Sequence, residues 1–261
     1  MWNGTQWVPN AATPAAAVAP TTSPDGLWMW NGAQWVPNAY QTVASYESAG
    51  FRAMLTTLFI AINVVGILLL VAFDVLDAIR TAQSAPADST MDIATGLVAL
   101  FAVVGYYGSL IPAVVFFCMW LHRIVRNMPS LGTPGPIFSP GLAVGLCFVP
   151  FVNLVQPFLS VLDAWRASPA QWRWLDRAAR KSVPVSLLIA GWWAAWIAAR
   201  PFTLIALVMS KDAAGQVAGS VIDLIGNLLL AAAAVLAIVV VRRLTARQDA
   251  RNQLIAAGQL A

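Results

Sequence analysis

The sequence predicts an all-α, polytopic helical membrane protein. Four spanning helices are expected, with a proline-broken segment that either re-enters or makes a fifth span, and a small Trp β-hairpin in the N-terminal tail. Three observations predict this class. Apolar residues fill 59% of the 261 positions and charged ones 10%, against roughly half and about a quarter in soluble domains. Mean hydropathy is +0.72, more apolar surface than a soluble core hides, so lipid is the expected solvent. Thirteen arginines against two lysines crowd the ends of the apolar runs. There they read as topology signals and anionic-lipid contacts, not as a nucleic-acid surface. The expected domains are a disordered Ala/Pro-rich tail (1–50), a helical membrane domain (51–250) and a C-terminal tail (251–261).

In the tail, residues 1–10 (MWNGTQWVPN) and 29–38 (MWNGAQWVPN) differ only at Thr5 against Ala33. An Ala/Pro/Thr linker joins the two copies and is expected to stay extended. Asn31-Gly32 between Trp-rich runs is a two-residue hairpin signal, because both turn positions need positive φ. That register sets Trp28 opposite Trp35, with Trp30 on the same face. The three indoles either cluster to hold the hairpin together or form a recognition patch for a peptide, a glycan or the membrane interface. The first copy lacks a leading strand and is expected to be poorly formed. No basic region followed by an apolar run occurs in the first fifty residues, so no cleavable signal peptide is expected.

Ala53–Phe73 is apolar for 21 residues, about 31 Å as a helix and enough to span. Ala78–Asp92 reads as a polar loop, and Ile93–Leu121 as a second, tilted span ending in WLHRIVRN. His122, the single histidine, reads as an interface residue rather than a catalyst. Gly141–Leu162 is long enough to span. Pro150 and Pro157, however, each remove a backbone donor, and freed carbonyls in lipid need protein or water around them. Asn153 between the prolines either caps that backbone or lines a solute site of the kind broken helices form. Val183–Met209 carries Trp192, Trp193, Trp196 and Arg200-Pro201; Val221–Val241 carries Asp223 and Asn227.

Charge placement arbitrates the topology. A re-entrant third segment with a cytoplasmic N-terminus puts twelve basic residues inside and three outside; five full spans give at best ten and five. The positive-inside rule favours the re-entrant arrangement, with both termini cytoplasmic. Arg123, Arg126, Arg166 and Arg173 are then basic residues at the membrane face.

Arg200 and Asp223 fall at similar depths on consecutive helices and are read as an intramembrane ion pair, with an ion or proton path as the alternative. Asn63 and Asn227 are read as interhelical hydrogen-bond partners, and Cys118 and Cys147 as buried free thiols. HExxH, GxSxG, P-loop and dinucleotide motifs are missing from the sequence. No catalytic residue, cofactor or metal site is therefore expected.

The run from Trp120 to Ser168 carries Trp120, Arg123, Arg126-Asn127, Leu131-Gly132, Ser139-Pro140-Gly141, Ala143-Val144-Gly145, Phe148, Pro150, Asn153-Leu154, Pro157, Trp165 and Ala167-Ser168. Together with the ending VRRLTARQDAR it resembles a bacterial, actinobacterial-type membrane family, domain of unknown function 4328. The resemblance implies a helical membrane domain over about 51–250 and brings no activity. Leu146-Cys147 stands where members usually have an aromatic pair, and Phe158 where they have a basic or aromatic residue. The Trp-rich units of the tail resemble short modules found ahead of membrane segments in actinobacterial proteins.

These readings lead to an expected plasma-membrane scaffold or sensor without enzymatic activity. Its partners are the bilayer and a protein met by the Trp hairpin; nucleic acid is excluded and self-association left open. The alternative is a small-solute or ion transporter built round 139–165.

Overall fold

The computed structural model describes residues 5–6, 23, 28–30, 34–37, 45–82, 89–133, 135–169, 177–209 and 213–259. The chain divides into two compact units, Met1–Val43 and Ala44–Ala261. The first repeat copy apart from residues 5–6, the linker apart from residue 23, and Arg173 lie outside the described residues.

In the first unit β1 (Trp28–Trp30) pairs antiparallel with β2 (Trp35–Pro37). The partners are Trp28 with Pro37, Met29 with Val36 and Trp30 with Trp35, which leaves four residues, 31–34, between the strands. The expected two-residue turn with Trp28 opposite Trp35 is thus corrected. The observed register sets two indoles opposite each other, edge to face at 5.7 Å, where the other would face Trp30 with Ala33; a direct aromatic pair is the stronger cross-strand contact. A slip of two keeps each side chain on its face, so Trp28, Trp30 and Trp35 still share one.

The second unit is helical: α1 (Gly50–Ala82), α2 (Ser89–Arg126), α3 (Pro140–Gly145), α4 (Gln156–Arg166), α5 (Arg177–Ser182), α6 (Leu187–Met209) and α7 (Ala213–Ala256). Three stretches are long and apolar enough to cross a membrane: Gly50–Leu76, Asp92–Arg126 and Ala218–Ala256. They mark the chain as a membrane protein. Leu187–Phe202 on α6 is a shorter apolar stretch. Most of the supposed 78–92 loop is helical, because α1 runs to Ala82 and α2 starts at Ser89. Apolarity ends where lipid would end, whereas backbone hydrogen bonding continues beyond it.

α1 and α2 pack antiparallel. Phe59 stacks on Phe116 at 5.3 Å, and the Asn63 carboxamide donates to Tyr106 O at 2.8 Å and to Ser109 Oγ at 3.2 Å. At the crossing a Cβ on Gly66 would lie 2.4 Å from Tyr106 N, so the approach needs a residue without one. Outward side chains such as Val65, Phe101 and Ile111 are exposed and apolar, as lipid contact requires.

One end of this unit, the base, gathers the start of α1, the ends of α2, α4 and α7, and α5. Trp120 Nε1 donates to Thr245 Oγ1 at 2.9 Å, and Gln248 Nε2 to Ile124 O at 3.0 Å. These contacts run α7 parallel to α2. The strap before α1 is fastened to the base: Tyr46 donates to Asp249 Oδ1 at 2.6 Å, Glu47 pairs with Arg123, and Asn127 Nδ2 donates to Glu47 O at 2.8 Å.

Both flanks of the broken segment also end in the base. Thr133 Oγ1 donates to Ala167 O at 3.1 Å and Ile137 N to Asp163 Oδ2 at 2.9 Å. Arg251, fully buried rather than in a tail, donates to Leu131 O and to Pro169 O. Chain thirty-odd residues apart in sequence therefore returns to the level it left.

Candidate functional site

The broken segment is built in four short pieces. Ser139 caps α3 by accepting from Leu142 N at 3.4 Å, and Pro140 fills its first turn, where the missing donor costs nothing. After Gly145 the chain tightens into a 3-10 turn at Leu146–Phe148. Phe151 then takes φ 62° and ψ −38°, with Val152 N bonded back to Pro150 O at 2.8 Å. This γ-turn is a strained geometry for a residue with a side chain. A second 3-10 turn, Val152–Leu154, leads into α4, which carries Pro157 in its first turn. Each proline thus sits where a helix has ended or is starting, and neither kinks a continuous one.

The carbonyl freed at the break is capped by Gln156, a residue the sequence reading passed over. Its Nε2 donates to Ala143 O and is 2.7 Å from Ser160 Oγ, and Cys147 Sγ reaches its Oε1 at 3.3 Å. Gln156 is buried. The capping role expected of Asn153 belongs to this longer amide, which reaches from α4 back to α3. Asn153 binds through its backbone, N to Val149 O at 3.0 Å.

Above the break lies a cavity of about 430 Å³, within the range of roughly 300–1,000 Å³ usual for small-ligand sites. Asn153, Pro157 and Cys147 form its floor. α1 and α2 contribute Asn63, Tyr106 and Cys118, and α6 contributes Trp192, Trp193, Trp196 and Arg200. On α7 the wall is Leu230, Ala233, Ala234 and Ala237, and the small side chains of the AAAA run at 231–234 leave the room. An aromatic column climbs one side. Phe117 lies 5.5 Å from Trp120 and 6.3 Å from Trp192; Trp192 meets Trp193 at 5.2 Å; Trp193 stacks on Trp196 at 4.7 Å. Trp193 Nε1 donates to Leu154 O at 3.0 Å, locking the column to the break. The column ends in the Arg200 guanidinium, 4.2 Å from the centre of the Trp196 ring. Such a cation–π contact is worth about 0.5–2 kcal/mol.

The predicted site residues are therefore partly assembled. Asn153, Pro157 and Arg200 meet at one cavity, whereas Pro150 is in the turn beside it and the Trp hairpin belongs to the other compact unit. Among the described residues no ion pair joins Arg200 to Asp223: Arg200 covers Trp196, and Asp223 accepts from Asn227 Nδ2 at 2.9 Å. One turn up its own helix, Asn227 is the nearer partner, so its bond is intrahelical and not the interhelical one expected.

The arginines near the base differ as well. Arg123 is buried and ion-paired to Glu47, so it does not face lipid as expected; Arg126 is exposed and Arg166 half-buried. Two further cations hold the base. Arg180 pairs with Asp163 at 3.2 Å and donates to Gly135 O at 2.8 Å, and Arg247 lies over Trp165 at 4.2 Å. Nothing in their spacing announced these pairs.

No curated protein and no solved structure matches the chain. The model of the family described as Domain of unknown function (DUF4328) matches residues 82–246, well over half of the 261, from the last residue of α1 through the break and along most of α7. The chain therefore belongs to the DUF4328 family.

Proposed function

We propose that the protein is a multi-pass plasma-membrane sensor with scaffold character and no enzymatic activity. A small ligand occupies the cavity above the break, and the state of the cavity is passed to the cytoplasmic tail, whose Trp28, Trp30 and Trp35 patch recruits a protein partner. In this reading α1, α2, α6 and α7 span the membrane, the 139–165 segment re-enters from the cytoplasmic face, and both termini are cytoplasmic. The return of both flanks of that segment to the base supports the topology.

One observation carries the preference for a sensor over a conduit. Beneath the cavity Trp120, Leu121, Ile124, Val161 and Leu244 are packed without exposure. Next to them the hydrogen bonds of Thr245 and Gln248 tie α7 to α2, and those of Arg251 tie it to Leu131 and Pro169 on either flank of the broken segment. A solute entering the cavity meets a plug whose removal would expose several buried polar groups. The strap at 45–49 is fastened to that same plug and leads by chain continuity into the tail.

The experiment fills the cavity without needing its ligand. Ala234→Phe in the full-length chain, reconstituted in lipid, is compared with the unaltered protein by hydrogen exchange at residues 45–49. A sensor requires the exchange of the strap to change. Unaltered exchange at the strap would contradict coupling and leave the transporter reading.

A further inference from the structure

We propose that the cavity's ligand is a monoanionic single-chain amphiphile with a carboxylate head, held at Arg200 with its chain laid against the tryptophan column. The proposal rests on reading the cavity as a ligand site and names the chemistry that site takes.

Arg200 is the charged residue among those that line the cavity. Its guanidinium carbon lies over the Trp196 ring, 4.2 Å from the centroid, a contact that uses none of its N–H donors and leaves them for another group. Among the described residues no carboxylate ion-pairs with it, and the acid on the neighbouring helix, Asp223, is bonded to Asn227. A planar guanidinium offers a fork that fits a carboxylate with two parallel hydrogen bonds. Arg200 is exposed and, among the described residues, has no carboxylate partner to offset its charge, so an anion at the site is favoured and a second cation is opposed. One positive charge sets the match at a monoanion.

Below Arg200 the walls are indole faces and alanines, with Leu110, Val114 and Phe117 opposite. These surfaces take up a hydrocarbon chain and offer little to a polar solute. Arg200 is seven residues past Trp193, about 10 Å along α6, and Trp193 is bonded to the break at Leu154 O. The slot therefore has a charged mouth and a mainly apolar depth, with the Asn153 amide at its floor. With about 430 Å³ available, one chain fits more readily than the two of a phospholipid.

The cavity carries its own reporters, since Cys118 and Cys147 are free thiols on its wall. Cys118→Ser leaves Cys147 as the single target. In nanodiscs of zwitterionic lipid, the rate of Cys147 modification by N-ethylmaleimide is measured with decanoate, decanol or phosphatidylglycerol added.

Decanoate is expected to slow modification at concentrations where decanol does not. Arg200→Gln should raise the concentration needed by roughly tenfold or more, as loss of a charge-assisted, forked hydrogen bond implies; Arg200→Lys should fall between. Equal protection by decanol and decanoate would overturn the carboxylate head while leaving a ligand cavity in place. Protection by phosphatidylglycerol and not by decanoate would overturn the single-chain assignment. No protection by any of the three would overturn both this proposal and the cavity reading. The decanoate–decanol comparison needs only the Cys118→Ser protein, so a misfolded Arg200 variant does not rescue the idea.

Discussion

The base and the cavity are built from the same kinds of side chain and put them to opposite use. At the base Asn127, Asp163, Arg180, Gln248 and Arg251 are buried and face one another or a carbonyl. In the cavity Arg200 and Asn153 face open space. Buried polar groups are stable only when satisfied, so the base is committed to structure and the cavity is left to receive something. Substitutions should therefore be costly at one end and mild at the other.

The largest effect is expected at Asp163→Ala, which strands Arg180 in the base. Removing one partner of a buried pair costs about 3–5 kcal/mol, so thermal unfolding in nanodiscs should show a large drop or the protein should fail to accumulate. Next comes Gly66→Ala at the α1/α2 crossing, where the new Cβ meets backbone and overpacking costs about 1–3 kcal/mol. A smaller loss, about 1 kcal/mol, is expected for Trp120→Phe, which removes one donor to Thr245. Asn153→Ala should stay within about 0.5 kcal/mol of the parent, as at sites without a partner, yet alter cavity occupancy read by Cys147 modification. A loss at Asn153 as large as at Asp163 would erase the contrast.

The strap gives a pH signature. Burial, and then the Asp249 carboxylate that accepts its hydroxyl, push the Tyr46 phenol far above its ordinary value. A raised folded pKa means that the neutral form is the one stabilised. The strap's contribution is therefore whole below the usual phenol value of about 10 and is lost as pH rises through the folded value. Hydrogen exchange at 45–49 should show flat protection from neutral pH to about 10 and loosening above it; Tyr46→Phe should abolish that upper-pH loosening.

How much of this was legible in the sequence follows from what sets each feature. The apolar runs and the break were readable, because lipid exposure writes itself as composition and proline forbids a continuous helix. Asn63 was readable for the same reason, as a lone amide in lipid must find a partner. The partners of the base were not. Asp163 and Arg180 are 17 residues apart and Asn127 and Gln248 are 121, and no local pattern joins positions that tertiary packing brings together. Arg200 and Asp223 failed as a pair because equal depth does not fix the side of a helix from which a charge points. The cavity depended on the volumes of Ala233 and Ala234 against three indoles, which only packing reveals. The hairpin register turned on one ring contact outweighing a favoured turn.

The central claim is that the chain leaves the base at residues 131–139 and comes back to it at 163–169 without crossing. Cysteines at positions 126 and 173, each alone in a Cys118→Ser, Cys147→Ser background, put the claim to a direct test with a membrane-impermeant maleimide on right-side-out and inverted vesicles. The account predicts that both positions react from the cytoplasmic side alone. Reaction of the two from opposite sides would contradict it and make the broken segment a full span.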